Sequence, residues 1–248
     1  MSIEGKAVII TGASSGIGEA TAKLLASKGA RLALGARRGE NLEKIAGEIE
    51  KAGGEAVFRV TDVTRAEDNR ELVELAKGKF GRVDAIFLNA GLMPNAPLSR
   101  LKTGEWEQMV DVNLMGVLNG LGAVLPEFAG QKSGHVIATS SVAGIKVYPG
   151  AAVYCATKWA VRALMEALRM ESAQEGTNIR ATTVCPAAIE TELLRTISDG
   201  ETAKGFGALY ERYAIRPESV AGVVAFALEQ PEGVNVSEFT IGPTAQPW

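Results

Sequence analysis

The chain has 248 residues, of which 46% are apolar and 22% charged, with a formal net charge of −3. That length can bury one sizeable core. The acidic balance removes any general attraction to nucleic acid or to anionic membranes. A single histidine (His135) and two cysteines without CxxC spacing (Cys155 and Cys185) argue against a metal site, and both thiols read as buried and reduced. The amino end runs into a strand with no signal-peptide pattern, and no apolar run is expected to reach membrane-spanning length, the longest being Val220 to Leu228. A cytoplasmic protein is the expectation.

Lys6 to Thr11 is a short apolar run rich in β-branched residues, the pattern of a strand buried on both faces. It feeds Gly12-Ala-Ser-Ser-Gly16-Ile-Gly18 and then a helix, Glu19 to Lys28, stopped by Gly29. Strands follow at Arg31 to Ala36, Ala56 to Thr61 and Val83 to Leu88, separated by helices at Glu40 to Ala52 and Arg65 to Phe80. The fourth strand runs into Asn89-Ala90-Gly91. Thr103 to Phe128 then reads as one long helix, with Pro126 in its final turn or at a kink.

Gly134 to Ser140 is a fifth strand, Ala151 to Ala173 a fifth helix, and Ile179 to Cys185 a sixth strand stopped by Pro186. Ala187 to Ile215 has no clean periodicity. Glu218 to Leu228 is a short helix and Glu238 to Ile241 a last strand. Strand and helix alternate without a break in composition. The expected fold is therefore α/β: a doubly wound, Rossmann-like parallel sheet of about seven strands with helices on both faces, in a single domain over residues 1–248.

In such sheets a ligand binds beyond the carboxyl ends of the strands, where the strand order reverses. The glycine-rich turn, Asn89–Gly91, Ser140-Ser141 and Pro186–Thr191 each follow a strand, so all four fall on that edge. Three glycines between a strand and a helix serve one of two ends. They pack a tight turn, or they let a pyrophosphate approach the helix N-terminus, whose free N–H groups favour anions. The end of the second strand carries Arg37 and Arg38 where a carboxylate would select NAD. They are either solvated side chains or the seat of a 2′-phosphate, which guanidinium binds bidentately. The second reading predicts NADP(H).

Tyr154 and Lys158, four apart at the start of the fifth helix, share one face. An ammonium there favours the phenolate and lowers the cost of moving the tyrosine proton. The plain alternative is a packed tyrosine beside a solvated lysine. The serine pair upstream offers a hydroxyl to the same spot.

With Thr11-Gly-Ala-Ser-Ser-Gly-Ile-Gly18, Asn89-Ala-Gly91, Asn113, Ser141 and Tyr154-x-x-x-Lys158 in this order, the chain resembles the short-chain dehydrogenase/reductase family over essentially its whole length. The resemblance implies Tyr154 as general acid/base and Ser141, rather than Ser140, as the hydroxyl that holds a substrate carbonyl. It implies Lys158 on the nicotinamide ribose and Asn113 helping to hold a water that links Lys158 to solvent. Cofactor contacts would come from Gly12, Ser14, Ser15, Gly16, Ile17, Gly18, Arg37, Arg38, Asp62, Val63, Asn89, Ala90, Gly91, Tyr154, Lys158, Pro186, Ile189 and Thr191. Two positions depart from the family pattern: Ala187 stands where glycine usually follows Pro186, and Leu88 where a second asparagine usually precedes Asn89.

The expected activity is reversible hydride transfer between NADP(H) and a ketone or aldehyde, or the corresponding secondary alcohol. An enzyme working mainly as an alcohol or 3-hydroxy-acid dehydrogenase is the alternative within the same chemistry. A non-catalytic NADP-binding regulator is the other class, but it has no need of Ser141, Tyr154 and Lys158 together. Leu92 to Ala96, Ala143 to Tyr148 and Ala188 to Tyr213 are mostly apolar and suit a carbonyl compound of low charge. The stretch around 188–215 is either a substrate lid or a surface loop. The fifth helix is apolar nearly all round, which together with the resemblance implies a homodimer or homotetramer.

Overall fold

The computed structural model describes residues 2–247. β1 (Ala7–Thr11) is buried at every position, as a strand covered on both faces must be. Six further strands join it: β2 (Arg31–Ala36), β3 (Glu55–Val60), β4 (Ala85–Leu88), β5 (Gly134–Thr139), β6 (Ile179–Pro186) and β7 (Glu238–Ile241). All pair in parallel, in the order β3-β2-β1-β4-β5-β6-β7. The order reverses between β1 and β4, and the crevice opens there.

One face of the sheet is covered by α1 (Gly16–Ser27), α2 (Gly39–Lys51) and α8 (Glu218–Glu229), which bury Leu25, Leu42, Ile45 and Val224 against Val8, Ile10 and Leu32. The other is covered by α3 (Ala66–Phe80), α5 (Gly116–Gln131) and α6 (Ala152–Glu175), where Leu72, Val124, Phe128 and Val161 meet Ile9, Ile86 and Val136. Alternate residues of β1 thus face opposite cores, which is why the strand reads as uniformly apolar. Each large side chain so buried stabilises the fold by about 1.5–3 kcal/mol.

Two stretches differ from their sequence reading. The long helix is continuous from Thr103 to Gln131, but α4 (Thr103–Val110) passes into α5 through a π-helical turn, Asp111–Met115. At 29 residues, with an 18-residue window of mean hydropathy 1.4, it is long and apolar enough, by length and composition, to cross a membrane. The expectation that no segment reached that length rested on unbroken apolar runs, and here Asn119 and Pro126 interrupt an average that stays high. In this fold the helix buries Val117, Leu121, Val124 and Phe128 against the sheet layer.

The second difference lies between Ala187 and Ile215, where no periodicity was legible. A short 3₁₀ segment, Glu192–Thr196, is followed by α7 (Gly200–Tyr213). Gly200, Gly205 and Gly207 lower the helix propensity of α7 and hide it. Its start is fixed by Asp199, which caps the helix by accepting from Thr202 N at 3.0 Å.

Phe128 is wholly buried and packs against the glycine that opens β5. Phe128→Ala is expected to cost about 3–5 kcal/mol, measured as a lower urea midpoint with an unchanged slope.

Candidate active site

The crevice is built from the ends of β1, β4, β5 and β6. Gly12 leaves β1 at φ +64°, in the left-handed region, and a Cβ there would come within 2.8 Å of Ala90 Cα. Only glycine lets the turn close onto the end of β4. Ser15 precedes α1 without a side-chain capping bond, so no side chain fills the first N–H groups of that helix. Such a terminus is a ready seat for an anion. Gly16, at φ +56°, is overhung by Thr191, whose Cγ2 would lie 2.9 Å from an added Cβ.

A cleft of about 590 Å³ runs from this turn toward α6, within the roughly 300–1,000 Å³ usual for ligand sites. Its wall carries Gly12, Ser14, Ser15, Gly16 and Ile17 from the turn and Arg37 and Arg38 from the end of β2. Asp62, Val63, Asn89, Ala90, Gly91, Tyr154, Lys158 and Thr191 complete the expected set that lines it. Gly18, Asn113, Ser141, Pro186 and Ile189 do not form the wall. Gly18 is pressed against Gly12 O, Ile189 is buried and bridges to Ile215, and Pro186 ends β6 in register with Ile241.

Asn89 holds the strand ends together. Its Nδ2 donates to Thr11 O (3.3 Å) and Gly12 O (3.5 Å), and its Oδ1 accepts from Thr139 Oγ1 (3.1 Å). Asn113 lies in the π-helical turn, fully buried, with Oδ1 accepting from Leu92 N and Nδ2 donating to Leu92 O, both at 2.9 Å. A further bond runs to Thr157 Oγ1 (3.3 Å). The wide turn thereby aims an amide at the chain just after Gly91, and such turns mark functional sites in helices.

Tyr154 and Lys158 stand on one face of α6, both almost completely buried. The Lys158 ammonium donates to Thr139 O (2.8 Å) and lies 5.6 Å from the centre of the Tyr154 ring. Burial pulls the lysine down from its usual 10.5 to about 8. Burial pushes the Tyr154 phenol well above its usual 10, with Tyr210 of α7 adding to the rise and a hydrogen bond from Ser141 opposing it. In the protein alone desolvation therefore governs the phenol, which keeps its proton. Ser140 donates to Lys158 O (2.8 Å) and is held there, whereas Ser141, beside Tyr154, donates only a long bond to Pro186 O (3.4 Å) and accepts from Ala143 N (3.1 Å).

A family model for short chain dehydrogenases matches residues 6–202. The chain belongs to the short-chain dehydrogenase/reductase family. An uncharacterized oxidoreductase of Listeria monocytogenes is 67% identical over the full length of both chains. A glycine betaine reductase of Emericella nidulans is 41% identical over 245 residues, 99% of this chain and 19% of that one. Among solved structures, an alcohol dehydrogenase of Thermococcus sibiricus complexed with 5-hydroxy-NADP has a TM-score of 0.86 at 33% identity, covering 98% of each chain. A serine dehydrogenase complexed with NADP+ has a TM-score of 0.89 at 28% identity, over 97% of this chain and 96% of that one. A Burkholderia phymatum family member in complex with NAD also scores 0.89, at 26% identity, over 97% and 90%.

This family member absorbs its departures from the pattern locally. The Ala187 methyl occupies space left by Gly242, whose own Cβ would come within 2.5 Å of it, and Ala187 N still bonds Ile241 O at 2.8 Å. Leu88 fills the notch at Gly120 instead of offering an amide. Three side chains of note were not singled out from sequence. Glu192 forms an ion pair with Arg38 at 2.7 Å, Tyr210 faces Tyr154, and Asn95 is 1% exposed with neither its amide nitrogen nor its oxygen hydrogen-bonded within the protein. The first two sat in a stretch without legible periodicity. Asn95, between two prolines' reach in an apolar loop, was the readable anomaly.

Because Lys158 is held near 8, the unfolded chain binds more protons than the folded one between about 8 and 10.5, and its charge is a cost that is largest below that window. Lys158→Met should raise the melting temperature at pH 7 relative to the parent. That gain should shrink as the pH climbs through 8 toward 10.5, followed by thermal denaturation across pH.

Proposed function

We propose that this oxidoreductase is NADP(H)-dependent and interconverts a ketone or aldehyde with the corresponding secondary alcohol. The observation that carries the reading is a buried Tyr154 that shares a helix face with Lys158 and has the Ser141 hydroxyl beside it, at one end of a nucleotide-sized cleft. The glycine turn and the open start of α1 would hold the pyrophosphate, with Gly18 keeping the turn tight. Arg37 and Arg38 would take the 2′-phosphate, Asp62 and Val63 the adenine, and Asn89, Ala90 and Gly91 the adenosine and ribose. Pro186, Ile189 and Thr191 would position the nicotinamide amide. When bound, the cofactor supplies or accepts the hydride.

The protein's own share is proton transfer and charge stabilisation. Tyr154 gives its proton to the carbonyl oxygen as negative charge develops there, and Ser141 donates a hydrogen bond to the same oxygen. Lys158 supplies a positive charge that eases loss of the phenolic proton. Asn113 acts as a positioning residue: its amide holds both backbone groups of Leu92, so the chain after Gly91 keeps its shape.

The substrate wall is apolar. Leu92, Met93, Ala143 and Ile197 pack with Tyr154, and Leu193 and Phe206 join them from the 3₁₀ segment and α7. We therefore read α7 and the segment before it as an ordered substrate lid within a single domain. A carbonyl compound with an apolar body and one hydrogen-bonding group fits this wall, since Asn95 on the same loop as Leu92 and Met93 lacks a partner. The exposed Trp159 and Met170 of α6 and Met115 and Leu118 of the neighbouring helix favour a homodimer or homotetramer. Buried, free Cys155 and Cys185 are in keeping with a cytoplasmic location.

Tyr154→Phe removes the proton and little volume. Carbonyl-dependent NADPH oxidation should fall by about 10²–10⁴-fold while the Kd for NADPH, read by fluorescence, stays close to the parent value. Unchanged turnover would exclude the mechanism. Arg37→Asp tests the cofactor: NADPH affinity should drop about tenfold or more while NADH affinity holds. A ratio that does not move would remove the NADP assignment.

A further inference from the structure

The cofactor reading assigns a phosphate to a spot that a carboxylate already occupies. Arg38 reaches back across the glycine turn, donating from Nε (3.2 Å) and Nη2 (3.1 Å) to Ser14 Oγ and from Nη2 (2.7 Å) to Ser15 Oγ. Its remaining edge, Nη1, meets Glu192 Oε2 at 2.7 Å. The Ser15 hydroxyl lies beside the Glu192 carboxyl, which Arg38 above all holds below the usual carboxylate range. Arg195 fixes the other oxygen at 2.8 Å. One anionic group is thus surrounded by a guanidinium and a serine hydroxyl of the turn, the donor set that a phosphate monoester would use.

Glu192 is also mechanically placed to yield. It opens the 3₁₀ segment that starts beside Thr191, the residue overhanging Gly16. The far end of that segment is tied to the opposite wall, where Thr196 Oγ1 accepts from Met93 N at 2.9 Å. The segment therefore bridges the cleft, and its anchor on the glycine-turn side is an exposed ion pair. Such pairs are worth little and are readily exchanged.

We propose that Glu192 is an internal stand-in for the cofactor's 2′-phosphate. In the free protein it holds Arg38, Ser14 and Ser15 in their binding arrangement, and NADP(H) enters by displacing it. NADH, which has no phosphate there, does not compete with it. The proposal rests on the reading of this cleft as an NADP site, and it adds a specificity determinant on the lid to the two arginines that follow β2.

The test is equilibrium binding of NADPH, NADH and 2′-phosphoadenosine to the parent and to Glu192→Gln, which keeps the side-chain shape and removes the charge. Glu190→Gln, an exposed carboxylate two residues away that does not line the cleft, controls for the general loss of negative charge. Glu192→Gln should bind NADPH and 2′-phosphoadenosine about fivefold more tightly, the scale of one exposed ion pair, with NADH unchanged and Glu190→Gln like the parent. Unchanged or weaker NADPH binding, an equal gain for NADH, or the same gain in Glu190→Gln would overturn the proposal. A parent protein that bound neither dinucleotide would instead overturn the cofactor reading, and the proposal with it.

Discussion

The side chain of Asn89 is the fastening on which the crevice depends. From the end of β4 it bonds the last carbonyls of β1 and the start of the glycine turn, and it accepts from Thr139 at the end of β5. The carbonyl of that same Thr139 receives the Lys158 ammonium. Three parallel strands that would otherwise end independently are thereby brought to one level, and α6 is hung from the last of them. A parallel sheet leaves its terminal carbonyls unpaired, and here the same unpaired groups position the chemistry.

Burial then decides the protonation states. Tyr154 and Lys158 are nearly out of solvent, and desolvation drives each toward its neutral form: the phenol up and the ammonium down to about 8. Spacing alone suggests that the ammonium should lower the phenol, and in the protein alone it does not prevail. A phenol that keeps its proton is a proton donor, and a lysine poised near 8 can change its charge close to neutral pH. The wider lesson is that two groups on one helix face cannot be assigned a pKa without knowing what covers them.

The opposite end of the cleft is ruled by charge rather than burial. Arg38 satisfies its donors with buried Ser14 and half-buried Ser15 of the turn and with Glu192 in an exposed ion pair, whose exchange for another anion costs little. The cleft thus joins buried, internally bonded groups at its Tyr154 end to exposed, exchangeable ones at the glycine turn.

Much of the site was legible from the chain alone, for a physical reason in each case. A strand covered on both faces must be apolar throughout, so β1, β4 and β5 announced themselves. The glycine turn is demanded by the close approach of Gly12 to Ala90, and Tyr154 and Lys158 share a face by helical geometry. Their order along the chain placed them on one edge and pointed to the family. What the tertiary structure decided was everything that depends on contacts between distant residues. Ser140 is spent on the backbone of α6 at 2.8 Å, whereas Ser141 beside Tyr154 makes only a 3.4 Å bond to Pro186 O. Ala187 is tolerated because Gly242, far along the chain, leaves room. Helix α7 was hidden by its glycines, and with it Tyr210; the Glu192 segment before it meets Arg38 and Met93, more than a hundred residues away. Periodicity reports only the face a segment turns to the core; what it meets there, and at what charge, is settled when the strands come together.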